Sequence, residues 1–292
     1  MFMTRRIASV IALLLTAFAT SQERIRDVIY MKSGGAAFTM DVFKPKDPSG
    51  AAVIYLVSGG WFSAHESINP QFAKSLNDIG FTVFEVVHGS QPRYKIAEIA
   101  KQITRAVRFV RTNAATYYVD PERLGLTGAS AGGHLSLLTA GRADNGNPEA
   151  GDLVERASSA VAAVVAIFPP TDFLNYGSST PQVLLSSPTF APFRPAFGLP
   201  ANPTPEQINE IAKDVSPIYN VSAKFPPTLL IHGDKDTLVP LQQSEIFRDA
   251  LVKAGIVNEL VVIPGAGHDG VTINKGMPRL LSWFKEKLQK KS

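Results

Sequence analysis

The sequence of 292 residues predicts an α/β fold, with a mostly parallel central sheet of about eight strands and helices on both faces. Short apolar runs alternate with segments of helical periodicity from residue 52 onward. The run at residues 52–57 is continuously apolar, as is typical of a parallel strand that is buried on both faces. Glycine-rich or polar turns follow several of them, which is where ligands bind in open α/β sheets.

Strands and helices follow one another in a regular order along the chain. Pro45 closes the second strand because proline lacks the backbone N–H that a sheet ladder needs. Apolar residues recur at helical spacing from Ile96 to Val110 and predict a long amphipathic helix. The predicted strands are residues 28–31, 38–43, 52–57, 82–87, 124–127, 161–168, 228–231 and 260–263, and the predicted helices are residues 71–79, 96–110, 133–138, 244–254 and 278–288.

One long connection interrupts this order. Residues 171–227 follow the sixth predicted strand and are rich in proline, with phenylalanine at positions 173, 190, 193 and 197. Connections of this length are usually functional or disordered, and the aromatic content favours an ordered segment. We therefore predict one domain over residues 27–290, with residues 171–227 as a cap-like insertion.

Composition excludes several classes of function. The net charge of +4 is small and no basic patch interleaved with aromatic residues is present, so no nucleic-acid partner is predicted. The chain has no cysteine, which excludes disulfides, thiolate metal sites and cysteine nucleophiles. No zinc-site spacing, dinucleotide-binding fingerprint or Walker loop occurs either, so no metal and no cofactor are predicted.

The N-terminus has the pattern of a secretory signal. Arg5-Arg6 precede an apolar run from Ile7 to Ala19, and Ala17-Phe18-Ala19 supplies a small-x-small cleavage pattern. A spanning helix needs about 20 apolar residues, and this run is shorter. Residues 1–19 are predicted to be a signal peptide that exports the protein to the periplasm or the extracellular space. An uncleaved N-terminal anchor is the alternative, and no other membrane association is predicted.

Residues 128–132 read Gly-x-Ser-x-Gly and lie between a predicted strand and a predicted helix. A serine in a sharp strand-to-helix turn exposes its hydroxyl, and flanking glycines let neighbouring backbone pass close by. Serine becomes an effective nucleophile only when a base takes its proton, and histidine serves best when a carboxylate orients it. Ser130 is therefore a candidate nucleophile that needs a histidine and an acid.

Both partners are available at the ends of other predicted strands. His268 lies in the glycine-rich turn after the last strand, and Asp234 and Asp236 follow the strand before it. The order Ser, Asp, His is the one expected on this kind of fold. Asp234 directly follows Gly233 and is well placed to bond backbone amides of the turn, so Asp236 is the favoured acid.

Further candidates surround this set. The backbone N–H groups of Gly59, Gly60 and Ala131 are predicted to bind the oxyanion that forms when the serine attacks a carbonyl. Trp61 is either a wall of the substrate site or a packing residue, and the sequence favours neither. His65 and His88 occur in loops that could reach the site and are candidates for substrate binding, whereas His134 and His232 are interpreted as structural.

These residues resemble the α/β-hydrolase superfamily, in its esterase/lipase branch. Gly-Ala-Ser-Ala-Gly-Gly-His at residues 128–134 looks like the nucleophile elbow of the carbohydrate-esterase and feruloyl-esterase-like group, near the hormone-sensitive-lipase-like esterases. Residues 232–240 are similar to the acid loop of these enzymes, in which the second aspartate is catalytic, and this supports Asp236. The resemblance implies a serine carboxylesterase that acts through an acyl-enzyme on a small-molecule or polysaccharide-linked ester.

Two departures from that family pattern lie near the site. Such esterases usually carry His-Gly-Gly-Gly-Trp at the oxyanion loop, whereas this chain has Val57 in place of the histidine that braces the loop. The loop is then either less rigid or braced by the Ser58 hydroxyl. The strand that usually ends in an Asn-Tyr-Arg-like sequence ends here in Val87-His88-Gly89-Ser90. The acyl and alcohol specificity is therefore left open.

Two other functions remain as alternatives. The first is a prolyl-oligopeptidase-like serine peptidase, whose catalytic domain shares Gly-x-Ser-x-Gly-Gly; no region of propeller size precedes residue 27, which counts against it. The second is a non-catalytic hydrolase-fold binding protein, which the complete serine, histidine and aspartate set disfavours. The sequence predicts no oligomeric state.

Overall fold

A computed structural model of the protein describes residues 23–177 and 183–289. The predicted signal peptide at residues 1–19 lies outside the described residues. Within the described ranges, no helix has the length and apolar character that crossing a membrane requires.

The strands form one eight-stranded sheet, and the predicted fold class is confirmed. Its order is β1-β2-β4-β3-β5-β6-β7-β8. β1, β2 and β4 pair antiparallel, and all other neighbours pair parallel. The strands are β1 (Glu23–Ser33), β2 (Ala36–Lys44), β3 (Ala52–Val57), β4 (Thr82–Val87), β5 (Leu124–Ala129), β6 (Ala163–Ile167), β7 (Thr228–Gly233) and β8 (Asn258–Ile263).

Helices cover both faces of the sheet because alternate strand residues point to opposite sides. Apolar side chains of α2, α3 and α6 pack into one core, and those of α1 and α7 into the other. The helices are α1 (Pro70–Asn77), α2 (Ile96–Thr112), α3 (Ala131–Gly141), α4 (Leu153–Arg156), α5 (Pro205–Asp214), α6 (Gln242–Lys253) and α7 (Gly270–Lys287).

The last helix begins earlier than the sequence pattern indicates. α7 begins at Gly270, and Pro278, at the predicted start, lies inside the helix. The Asp269 side chain accepts hydrogen bonds from the N–H groups of Val271 (2.8 Å) and Thr272 (3.3 Å), and so caps the helix next to His268. The early start therefore places a rigid helix end directly behind a candidate site residue.

The connection between β6 and β7 carries short helical segments of its own. It contains α5 and 3₁₀ segments at Leu184–Ser186, Pro188–Phe197 and Pro217–Asn220. Phe173, Phe190 and Phe197 of this connection are buried. Their rings join the same hydrophobic core as α2 and α3, which brings the connection against the carboxyl ends of the strands.

Glu85 is a charged residue in the middle of the sheet. Its side chain on β4 is fully buried, and Oε2 accepts a hydrogen bond from the N–H of Asn69 at 2.6 Å. Oε1 is buried without a hydrogen-bond partner among the described residues. Burial, reinforced by Asp41 and opposed by the Asn69 N–H and by Arg24, raises the pKa of Glu85 to about 7. The folded protein therefore binds a proton here more tightly than the unfolded chain.

We expect this buried acid to make stability fall as the pH rises from 4.5 through 7. Below that window both states are protonated, and above it the folded state must hold a buried carboxylate. Glu85→Gln has nearly the same shape and no charge, so the free energy of unfolding of this variant should not show the loss, which is on the order of 3 kcal/mol in the wild type. Urea unfolding of both proteins at several pH values measures the difference. Parallel pH profiles would contradict the prediction.

Candidate active site

Ser130 lies in a sharp turn between β5 and α3. Its backbone has φ +54° and ψ −121°, a strained conformation for a residue with a side chain, and its N–H donates to the carbonyl of Ile167 at 2.9 Å. A Cβ on Gly128 would lie 2.5 Å from the carbonyl carbon of Gly132, and one on Gly132 would lie 2.9 Å from the Leu56 carbonyl oxygen. The two glycines are therefore required by close backbone approach on either side of the serine.

Ser130, His268 and Asp236 form a continuous chain of hydrogen bonds. His268, in the loop between β8 and α7, places Nε2 2.8 Å from the Ser130 hydroxyl oxygen. Its Nδ1 lies 2.7 Å from Oδ2 of Asp236, in the loop after β7. The Phe168 ring packs against the imidazole with ring centroids 4.2 Å apart. The structure thus brings together three residues that are distant in the sequence.

The environment of Asp236 keeps its carboxylate ionised. Burial alone would raise its pKa, but the nearby His232 ring, the hydrogen bond from His268 and that from the Val239 N–H outweigh this and hold the pKa well below its usual range. Oδ1 accepts from the N–H groups of Leu238 (2.9 Å) and Val239 (2.8 Å). An ionised carboxylate only accepts hydrogen bonds, so His268 donates from Nδ1, and in the neutral imidazole the other nitrogen, Nε2, is then the acceptor that faces the serine hydroxyl.

Asp234 occupies a different position. Its Oδ1 accepts a hydrogen bond from the Gly265 N–H at 2.7 Å, which ties the end of β7 to the loop that carries His268. The side chain is exposed and makes no hydrogen bond to the imidazole of His268. Of the two aspartates, only Asp236 bonds the histidine.

His232 supports Asp236 from the buried side, a contact that the sequence interpretation missed. Its Nε2 donates to the Val239 carbonyl at 2.8 Å and lies 3.4 Å from Oδ2 of Asp236. Its Nδ1 accepts from the Ser244 hydroxyl at 2.7 Å. The only sequence signal for this contact is the spacing of four residues between His232 and Asp236, which does not by itself bring two side chains together.

The hydrogen bonds of the turn at residues 59–62 show that Gly59, one of the three predicted oxyanion donors, does not have a free N–H. The Gly59 N–H donates to the Phe62 carbonyl at 3.0 Å, and the Phe62 N–H donates back at 2.9 Å. Because its N–H closes this hairpin, Gly59 is not a free donor. Among the described residues, the N–H groups of Gly60, Trp61 and Ala131 make no hydrogen bond. The sequence interpretation missed the Trp61 N–H as a candidate donor. Its only sequence signal is that Trp61 directly follows two glycines.

A cavity of about 60 Å³ opens beside the Ser130 hydroxyl. Trp61 both lines this cavity and packs in the core, since it is 3% exposed and its Nε1 donates to Nδ1 of His134 at 3.2 Å. Both interpretations of Trp61 therefore apply. The cavity is lined by Gly60, Trp61, Ser130, Ala131, Pro170, Tyr176, Phe190, Phe193, Leu238 and Val239.

The two histidines predicted to bind substrate do not line this cavity. His65 is exposed beside β1 and β2, with Nε2 2.7 Å from the Thr39 hydroxyl and 3.4 Å from Asp27. His88 is buried and donates from Nδ1 to the Gly89 carbonyl at 2.8 Å, and burial lowers its pKa to about 4. The structure therefore does not bring either histidine to the cavity beside Ser130, since His65 contacts β1 and β2 at the edge of the sheet and His88 is buried against the Gly89 carbonyl. The described residues hold no cluster suited to a metal ion.

Comparison with known proteins identifies related sequences and folds. The model of the BD-FAE family matches residues 40–251, a stretch that includes Ser130 and Asp236. Esterase LipC of Mycobacterium tuberculosis is 29% identical over 235 residues, which cover 78% of this chain and 56% of LipC. The chain thus spans about half the length of the curated relatives it matches.

Two solved structures are similar to this chain over most of their length. A truncated carbohydrate esterase from gut microbiota has a TM-score of 0.76 and 27% identity, and the match covers 92% of this chain and 97% of that one. An acetyl ester-xyloside bifunctional hydrolase from Caldicellulosiruptor lactoaceticus has a TM-score of 0.72 and 27% identity, and the match covers 88% and 92% of the two chains. These likenesses confirm the resemblance to esterases of the α/β-hydrolase fold.

Proposed function

The chain belongs to the BD-FAE family, and from that premise we propose that it is an exported serine esterase that hydrolyses carboxylic esters. The observation that carries the proposal is the hydrogen-bonded chain from Ser130 through His268 to Asp236 at the mouth of a cavity. A hydroxyl, an unprotonated imidazole nitrogen and an ionised carboxylate in this order are the groups that acyl transfer through a serine needs.

The proposed reaction has two halves. The Ser130 Oγ attacks the ester carbonyl while Nε2 of His268 takes the hydroxyl proton, and a tetrahedral intermediate forms. The C–O bond to the alcohol then breaks, and His268 returns the proton to the leaving alkoxide. Water attacks the acyl-enzyme in the same way, with His268 as the base, and releases the carboxylic acid. Asp236 orients the imidazole and stabilises its positive charge in both halves.

The negative charge on the carbonyl oxygen is proposed to bind to backbone N–H groups. Gly60, Trp61 and Ala131 have free N–H groups and line the cavity beside Ser130. Ala131 begins the eleven-residue helix α3, so the positive end of the helix dipole adds to its N–H. Removing one such donor typically costs about 3–4 kcal/mol of transition-state stabilisation.

The size of the cavity favours a short acyl group. At about 60 Å³ it has room for roughly two water molecules, each with a share of about 30 Å³ in the liquid. An apolar cavity that takes up benzene measures about 150 Å³. Phe190 and Phe193 of the connection between β6 and β7 form part of its wall, so we propose that residues 171–227 cap the acyl side. The similarity to a carbohydrate esterase and to an acetyl ester-xyloside hydrolase supports a small-molecule or polysaccharide-linked ester as the substrate.

A comparison of chromogenic substrates tests the proposal. We expect turnover of p-nitrophenyl acetate, at least about tenfold slower turnover of the octanoate, and no release from a dipeptide p-nitroanilide. Release from the amide without ester hydrolysis would indicate a peptidase. A folded protein that cleaves none of the three would favour a non-catalytic binding protein.

Expression of the full chain, followed by N-terminal sequencing of exported protein, tests cleavage of residues 1–19.

A further inference from the structure

The turn at residues 59–62 has an unusual backbone for its sequence. It is a two-residue hairpin with positive φ at both central residues, +55° at Gly60 and +62° at Trp61, as in a type I′ turn. Glycine adopts such angles freely. A bulky residue at positive φ is an outlier, and strain of this kind costs on the order of 1–3 kcal/mol. Trp61 therefore holds a conformation that something else in the structure must stabilise.

A flip of one peptide group would relieve this strain. In a type II′ turn only the first central residue has positive φ, so rotating the Gly60–Trp61 peptide would return Trp61 to negative φ. In a trans peptide the C=O and the N–H point in opposite directions. The flip would therefore exchange the Trp61 N–H, a proposed oxyanion donor, for the Gly60 carbonyl oxygen. A carbonyl oxygen at that place would repel the negative charge of the intermediate.

Gln91 holds this peptide in the unflipped orientation. Its side-chain Nε2 donates to the Gly60 carbonyl at 2.8 Å, and its backbone N–H donates to the Trp61 carbonyl at 3.2 Å. Gln91 is 3% exposed, so its amide group has little water to compete for it. A flip would have to turn the Gly60 carbonyl, and this carbonyl is the group that Gln91 bonds. Because the Trp61 N–H belongs to the same peptide, the bond also fixes the direction in which that N–H points.

The loop around Gln91 fastens the chain after the turn as well. The Ser90 hydroxyl accepts from the Ser63 N–H and donates to the Ser63 carbonyl, both at 2.8 Å, and the His88 N–H donates to the Ser63 hydroxyl at 3.1 Å. The Ser58 hydroxyl is buried without a hydrogen-bond partner among the described residues, so it does not brace the loop. The brace comes from residues 88–91.

We propose that Gln91 is a positioning residue for the reaction, which directs the Trp61 N–H at the oxyanion by holding the Gly60 carbonyl. The inference rests on the proposed esterase function. Gln91 does not line the cavity beside Ser130, so its loss should weaken binding of the transition state and leave binding of the ester nearly unchanged. A hydrogen bond accepted by the Gly60 carbonyl also polarises the N–H of the same peptide, which strengthens it as a donor.

Two variants and a matched control test this role. Gln91→Met keeps the length of the side chain without a donor, and Gln91→Glu keeps its shape but places an acceptor against the carbonyl. Gln102→Met is the control, because Gln102 is also 3% exposed and bonds the same loop, through the Gly89 N–H at 2.8 Å, without contact to the turn. The measurements are kcat and KM for p-nitrophenyl acetate, the midpoint of thermal unfolding, and inhibition by a small alkylboronic acid.

We expect both Gln91 variants to lower kcat by about 10- to 100-fold with KM changed less than about threefold, and to weaken boronate inhibition by a similar factor. Gln102→Met should keep kcat even where its stability falls. Wild-type kcat in folded Gln91→Met, or an equal loss of kcat in Gln102→Met, would overturn the inference. Absence of turnover by the wild type would refute the proposed function instead.

A wild-type crystal structure with the boronic acid provides a test that does not depend on whether the variants fold. The tetrahedral boronate on Ser130 should place an oxygen within hydrogen-bond distance of the Trp61 N–H while Gln91 still bonds the Gly60 carbonyl. A boronate oxygen held only by other N–H groups, or a flipped Gly60–Trp61 peptide in the complex, would contradict the role of Gln91.

Discussion

Ser130→Ala is expected to lower kcat for short esters by about 10⁴- to 10⁶-fold, because among the described residues only the Ser130 hydroxyl hydrogen-bonds Nε2 of His268. The cavity and the free N–H groups stay in place, so substrate binding should be retained. Steady-state kinetics on p-nitrophenyl acetate measures the loss.

Ser136→Ala is the matched control for this prediction. Ser136 lies in α3, the helix that follows Ser130, and is buried; its hydroxyl donates to the Gly132 carbonyl at 2.8 Å and does not hydrogen-bond His268. The control should turn over esters as the wild type does. Turnover by Ser130→Ala within tenfold of the wild type would exclude Ser130 as the nucleophile.

Asp236→Asn is expected to lower kcat by about 10⁴-fold with little change in the fold. An asparagine amide group facing Nδ1 of His268 donates a hydrogen bond, so the imidazole must accept there and carry its proton on Nε2. The imidazole then cannot take the proton of Ser130. The ionised carboxylate that now stabilises the imidazolium is lost as well.

Asp234→Asn is an isosteric control two residues away in the same loop. Its Oδ1 can still accept from the Gly265 N–H, and the residue does not bond His268. We expect turnover near that of the wild type. A greater loss in Asp234→Asn than in Asp236→Asn would transfer the role of the acid to Asp234.

Local patterns in the sequence predict much of the sheet and the three residues of the hydrogen-bonded chain. The continuous apolar run at residues 52–57 matches β3, because a buried parallel strand has no polar side to obscure its ends. The bounds predicted for the next strand, residues 82–87, also match β4. Gly-x-Ser-x-Gly and the turns after β7 and β8 are likewise local signals. Once strands are placed, the parallel sheet brings their carboxyl ends to one edge.

The errors concern features that tertiary contacts decide. The sequence interpretation missed α5, although Thr204 and Gln207 form a capping box at its start, because the helix lies in a proline-rich stretch. The availability of the Gly59 N–H depends on its pairing with Phe62, and the position of His65 depends on how its loop packs against β2. These last two contacts have no signature in a single sequence.

The two departures from the esterase pattern are related in the structure. Val57 cannot supply the brace of the usual histidine, and the loop that begins at His88 supplies one instead through Ser90 and Gln91. The partners are 27 and 31 residues apart in the chain. A sequence shows each departure separately, whereas the fold shows that the second compensates for the first.

The most direct measurement is the mapping of a covalent adduct with a fluorophosphonate, which reacts with activated serines. We predict a single phosphonylated peptide containing Ser130 in the wild type, much slower labelling of Asp236→Asn, and no adduct in Ser130→Ala. An actively esterolytic wild type that forms no adduct, or forms it at another residue, would contradict the proposal that Ser130, activated by His268 and Asp236, is the nucleophile.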